Sequence, residues 1–269
     1  PAVDPDCPAR DHIAPDAAVR FLDRERTERD REAPLPRGYA FLAAADGCNP
    51  VRFDPCQPVH YVIGGDVSVE TVNDAHEAVA RTAEASGLRF VYDGTTEEDV
   101  RGRSPYQPER YGERWVPLLI TFERRGTEPP RRPQDARRGD VAVVAGTGLP
   151  TALEDVIVTA QVSVNLNAIV DLDTGQTLPG GFGSGITRGR VLLHELGHAV
   201  GLGHVADRDH LMHEPLTDHP PGPARYAAGD RIGFRYVGRE LGCLATPPLP
   251  DEPLPPPSGH PSGSVISPR

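Results

Sequence analysis

The sequence predicts an α/β (α+β) fold, and three observations carry that prediction. β-Prone runs, among them His60-Tyr61-Val62-Ile63, Val116 to Phe122 and Val156 to Leu172, alternate with two predicted helices, Val69 to Ser86 and Thr187 to Val200. Gly and Pro, 28 and 30 of 269 residues, mark long irregular connections between these elements and at the ends. A chain of this length also buries a sizeable core.

Residues 1–55 read as a Pro- and charge-rich arm. Within it Asp16 to Glu32 starts with a small apolar helical face (Ala17, Ala18, Phe21, Leu22), but Asp23 to Glu32 is almost wholly charged, so a solvated arm is expected. Residues 56–244 read as the folded domain. His60 to Ile63 is its first strand and Gly64-Gly65-Asp66 a turn. Val69, Val72, Val79 and Ala83 follow at helical spacing to Ser86, with Gly87 as a stop. His76 shares that face and is expected to be packed and hydrogen-bonded rather than a ligand. Leu88 to Tyr92 reads as a strand closed by Asp93-Gly94, residues 95–114 as a polar loop, and Val116 to Phe122 as a buried strand. An Arg-rich surface loop, Glu123 to Gly139, precedes strands at Val141 to Ala145 and Val156 to Leu172. A Gly-rich loop from Thr174 to Gly185 leads into the helix at Thr187, and the chain is then irregular to about Ala227. A last helix is predicted over Ala228 to Glu240, with Ile232, Tyr236 and Val237 on one face. Residues 245–269 form a tail in which, from Thr246 onward, nine of 24 residues are Pro; disorder is expected there.

The formal charge is −11, with 28 Arg and no Lys, which argues against a general nucleic-acid binder. Such a protein needs a basic surface to displace counterions. No apolar run approaches the ~18 residues that cross a bilayer, so no transmembrane segment is expected. Pro1 opens the chain without an initiator Met or an apolar signal core, as in a processed or excised segment whose export signal has gone. The four Cys (Cys7, Cys48, Cys56, Cys243) contain no C-x-x-C, and their even number suits two disulfides in a secreted protein. All three pairings stay open: Cys48 with Cys56 would close a short loop, and Cys243 would tie the C-terminal end to any of the others.

The chemistry is concentrated in His194-Glu195-Leu196-Gly197-His198-Ala199-Val200-Gly201-Leu202-Gly203-His204. His194 and His198, four residues apart, project from one helical face about one turn apart and suit one zinc ion. Glu195 follows the first ligand and is placed to act on a metal-held water. A third ligand requires the chain to leave the helix. Gly201 permits that turn because it accepts φ > 0, and His204 then returns to the metal. Three neutral imidazoles leave a fourth position open, as hydrolysis needs, whereas a closed structural site has no use for a carboxylate beside its first ligand.

This H-E-x-x-H-x-x-G-x-x-H segment, followed eight residues later by the chain's single Met, Met212, resembles the metzincin zinc endopeptidases. The short gap is most similar to the matrixin branch and its bacterial secreted relatives. The resemblance covers roughly residues 56–244. It implies a twisted five-stranded mixed sheet, mostly parallel with one antiparallel edge strand, an active-site helix, a turn bearing Met212 beneath the histidines, and a C-terminal helix. It further implies an endopeptidase acting on protein or peptide, with one Zn2+ on His194, His198 and His204 and Glu195 as the catalytic base; a monomer is expected. Asp171 and Asp173, beside the Gly-rich loop, are candidates for Ca2+. His213 and Glu214 are candidates for assisting catalysis from beyond Met212, and His210 and His219 read as solvent-facing or supporting. The chain departs from the branch at Val205 and His213, where Ser and Tyr are usual. It also lacks the branch's activation motif; Cys7 fits a disulfide better than a thiolate blocking the metal. Two other readings are a catalytically silent binding or adhesion module that keeps the metal shell, and a zinc hydrolase of cell-wall peptides.

Overall fold

A mixed β-sheet with helices packed on it organises the chain. The structure, a computed structural model, describes residues 19–21, 38–45, 49–65, 67–124, 146–171, 175–214, 216, 220–245, 247–252 and 254. Its strands are β1 (Val19–Phe21), β2 (Ala44–Ala45), β3 (Asn49–Pro50), β4 (Val59–Gly64), β5 (Phe90–Thr96), β6 (Leu118–Glu123), β7 (Gly146–Leu153), β8 (Val156–Asn165), β9 (Ile169–Asp171) and β10 (Gln176–Thr177). The described helices are α1 (Val69–Ser86), the single turn α2 (Pro108–Tyr111), α3 (Arg188–Ala199) and α4 (Ala228–Val237).

Five strands in the order β7-β8-β6-β4-β5 make the body of the sheet, and β1 extends it beyond β7. β8, β6, β4 and β5 are mutually parallel, while β7 runs antiparallel to β8. Parallel strands need both faces covered. Accordingly Leu118, Leu119 and Ile120 of β6 are all buried, and so are Val162 and Val164 of β8. α1 and α3 pack against each other, and α3 also lies on β7 and β8. α1 begins at Ser68, whose hydroxyl accepts from Thr71 N, and ends at Gly87 with φ 71°. His76 is hydrogen-bonded, its Nδ1 lying 2.7 Å from Tyr61 Oη.

Several elements differ from the sequence reading. Phe21 belongs not to a helix but to β1, where Val19–Phe21 pairs with Thr151–Leu153. β5 continues through Asp93-Gly94 to Thr96, its pairing with β4 shifting register between Tyr61 and Ile63. α2 interrupts the polar loop, with Pro108 at its first position, where a missing N–H costs nothing. On α4, Phe234 and Val237 are buried and Ile232 faces out. Part of the Pro-rich tail is packed: Pro247 is buried and Leu254 O accepts from Ser104 Oγ. The predicted strand over 141–145 and most of the Arg-rich loop lie outside the described residues.

One disulfide joins Cys56 to Cys243, which excludes a Cys48–Cys56 loop. Cys7 and Cys48 lie outside the described residues. Beside the bond, Asp54 Oδ1 accepts from Cys56 N at 3.0 Å and Leu244 N at 3.1 Å. Arg52 donates to the carbonyls of Gly238 and Gly242 just past α4, where cations are favoured, and burial lowers its pKa to about 10.

Candidate metal centre

α3 carries the motif, and every one of its residues is buried. Thr187 caps it by accepting from Arg190 N at 3.2 Å. Two arginines at a helix N-terminus oppose the helix dipole, so each needs a partner. Arg188 ion-pairs with Asp74 at 2.6 Å and Glu70 at 3.2 Å on α1. Arg190 donates to Gly185 O and Gly222 O, and burial lowers its pKa. These contacts join the helix start to α1 and to the Gly-rich loop.

At the other end the helix stops after Ala199, and Gly201 adopts φ 110°. A Cβ there would lie 2.7 Å from Val51 O, so this turn requires glycine for conformation and for space. Residues ahead of the first sheet crossing brace it. Leu42 N donates to Gly201 O at 2.8 Å, and Gly203 N donates to Ala40 O at 2.9 Å. The turn brings His204 back to the helix. The three Nε2 atoms of His194, His198 and His204 stand 3.0, 3.0 and 3.2 Å apart.

Their outer nitrogens explain why this cluster fits a metal ion. His194 Nδ1 lies 2.8 Å from Leu211 O, His198 Nδ1 2.7 Å from Leu202 O, and His204 Nδ1 2.9 Å from Glu214 Oε2. Carbonyls and carboxylates only accept, so each Nδ1 carries a proton, and in its neutral form each ring then presents an Nε2 lone pair. None of the three can then donate to another. A cation at the centre satisfies all of them, and nitrogens bound tetrahedrally at ~2.0–2.1 Å would be about 3.3–3.4 Å apart. The donor set therefore fits a metal ion.

Met212 lies against this arrangement, 2% exposed. A Cβ on Gly197 would collide with its Sδ, so the glycine between the helical ligands admits the thioether. Asp230 on α4 fixes the turn. Its carboxylate accepts from Leu211 N at 2.8 Å, Met212 N at 3.3 Å and Ala227 N at 2.8 Å. Burial pushes the Asp230 carboxyl up, against those N–H groups and His210, which pull it down. Asp230 was not singled out from the sequence, although an acidic third residue of a predicted helix is a capping signal.

Glu195 is 1% exposed and packs on β7: a Cβ on Gly146 would come within 2.8 Å of its Cγ. Glu214 is brought to His204, and His213 Nδ1 donates to Val205 O at 3.0 Å. His210 Nε2 accepts from Gly229 N at 3.1 Å, so His210 supports the turn. His219, Asp173 and the side chain of Asp171 lie outside the described residues, and with them the calcium expectation. Asp54, Cys56 and Cys243 also cluster, but both sulfurs are taken by the disulfide. Comparison with models of known protein families gives no match to this chain, and comparison with curated proteins gives none either.

Proposed function

We propose that this chain is a secreted zinc endopeptidase of metzincin type, closest to the matrixins. The single observation that carries the reading is the convergence of three Nε2 lone pairs from an H-E-x-x-H helix and a returning third His. The antiparallel position of β7 beside four parallel strands, and the packing of Met212 against Gly197 on the motif helix, support the same reading. The disulfide supports export to an oxidising compartment.

His194, His198 and His204 would hold the metal, each in its Nδ1-protonated form. Zinc bound there supplies Lewis acidity, polarising a carbonyl and acidifying a water. Glu195 accepts the proton of the attacking water and delivers it to the leaving amine.

The test measures zinc content and cleavage of an unstructured protein for wild type and Glu195→Gln, with and without a chelator. Wild type is expected to hold one zinc and cleave in a chelator-sensitive way. Glu195→Gln is expected to keep the metal and lose about 10²–10⁴-fold in rate, the usual contribution of a general base. Zinc binding without chelator-sensitive cleavage would favour the silent-module reading instead.

A further inference from the structure

His204 differs from the other two histidines in what holds its ring. The Nδ1–H groups of His194 and His198 go to backbone carbonyls, which the fold positions whatever side chains stand there. The Nδ1–H of His204 goes to a side chain, Glu214 Oε2, at 2.9 Å. This pairing is built into the turn. Val205 and His213, the neighbours of the two residues, form a parallel bridge. In it Val205 N donates to Met212 O at 3.1 Å and His213 Nδ1 donates to Val205 O at 3.0 Å. The chain beyond Met212 is thereby laid alongside the chain beyond His204.

We propose that Glu214 is a positioning residue of the metal site, acting through His204; this rests on the metal reading above. Its carboxylate locks the tautomer that directs Nε2 inward and strengthens that lone pair as a metal donor. It also supplies charge. Three neutral imidazoles leave a divalent cation uncompensated in a largely buried site, and burying an uncompensated charge is costly. Glu214 brings a carboxylate to His204, as Glu195 brings one to the helix that carries His194 and His198. The Glu214 side chain is 33% exposed, so replacing it leaves the core intact.

The experiment titrates chelator-stripped protein with Zn2+ alone against a competing indicator, for wild type, Glu214→Gln and Glu214→Ala. Glu214→Ala is expected to bind about 10–100-fold more weakly. Glu214→Gln, whose amide oxygen still accepts the Nδ1–H, is expected to fall between. The Co2+-loaded proteins should differ in their visible absorption bands, a signature that a role in folding alone would not move. Circular dichroism of the metal-free forms identifies misfolding, and the isosteric Glu214→Gln carries the comparison should Glu214→Ala not fold. Variants that bind Zn2+ as tightly as wild type with an unchanged Co2+ spectrum overturn the role of Glu214. A wild type that takes up no Zn2+ overturns the metal reading itself, and the proposal with it.

Discussion

Asp230 shows how much one side chain holds beneath the metal ligands. Its Oδ2 accepts from Leu211 N and Ala227 N, and its Oδ1 accepts from Met212 N. Leu211 O in turn orients His194, so the carboxylate reaches the cluster through one peptide unit. Asp230→Asn keeps the shape but turns an amide NH2 towards backbone donors. It should lower stability by about 1–3 kcal/mol, the cost of leaving a buried donor unsatisfied. A urea midpoint unchanged from wild type would refute that role. At this scale the sequence was legible where residue type and spacing are the chemistry. His194, Glu195, His198, Gly201, His204 and Met212 could be named because a metal needs those groups at those intervals. Asp230 and Glu214 could not be assigned their partners, since a carboxylate's role depends on which donors the finished fold brings to it.

β7 illustrates the same limit for an element. Gly146-Thr147-Gly148-Leu149-Pro150 lacks the β-branched alternation that marks a strand, and the sequence reading placed none there. Yet β7 pairs with β8 along its length, and its glycines let the backbone approach α3 at the residue proposed as the base. A Cβ on Gly148 would collide with Glu195 O, a backbone atom of a buried helix that has no room to retreat. Gly148→Ala is therefore expected to cost about 1–3 kcal/mol and to reduce peptide cleavage, because it displaces either β7 or the carboxylate-bearing turn of α3. A thermal midpoint and cleavage rate equal to wild type would show that β7 does not constrain Glu195. By contrast, β4, β6 and β8 were legible as buried apolar runs, and α1 and α3 in their extent; of the face read for α1 only Val79 is buried, because the helix turns Thr71, Asp74, Ala75, Ala78 and Thr82 inward and leaves Val69 exposed.

Across the whole molecule, the Cys56–Cys243 bond encloses 187 residues of separation, including β4 to β10, all four described helices and the three histidines. Its pairing was beyond the sequence, because spacing alone does not say which ends of a fold meet. The structure supplies the reason: the segment entering β4 and the segment leaving α4 lie side by side, also joined by Asp54 to Leu244 N and by Arg52 to Gly242 O. Closing so long a loop restricts the unfolded chain more than a short bridge does, and the expected contribution is about 2–5 kcal/mol. The double variant Cys56→Ser/Cys243→Ser should therefore unfold at lower denaturant. Asp54 and Arg52 still align the two ends in the native state, so folded variant should take up Zn2+ with the wild-type stoichiometry. Equal denaturation midpoints would remove the bond from the stability of the fold. A stable variant that no longer binds Zn2+ would instead show that the bond shapes the metal centre, coupling the joined ends to the turn at Gly201 through Val51 and Val237, which flank it.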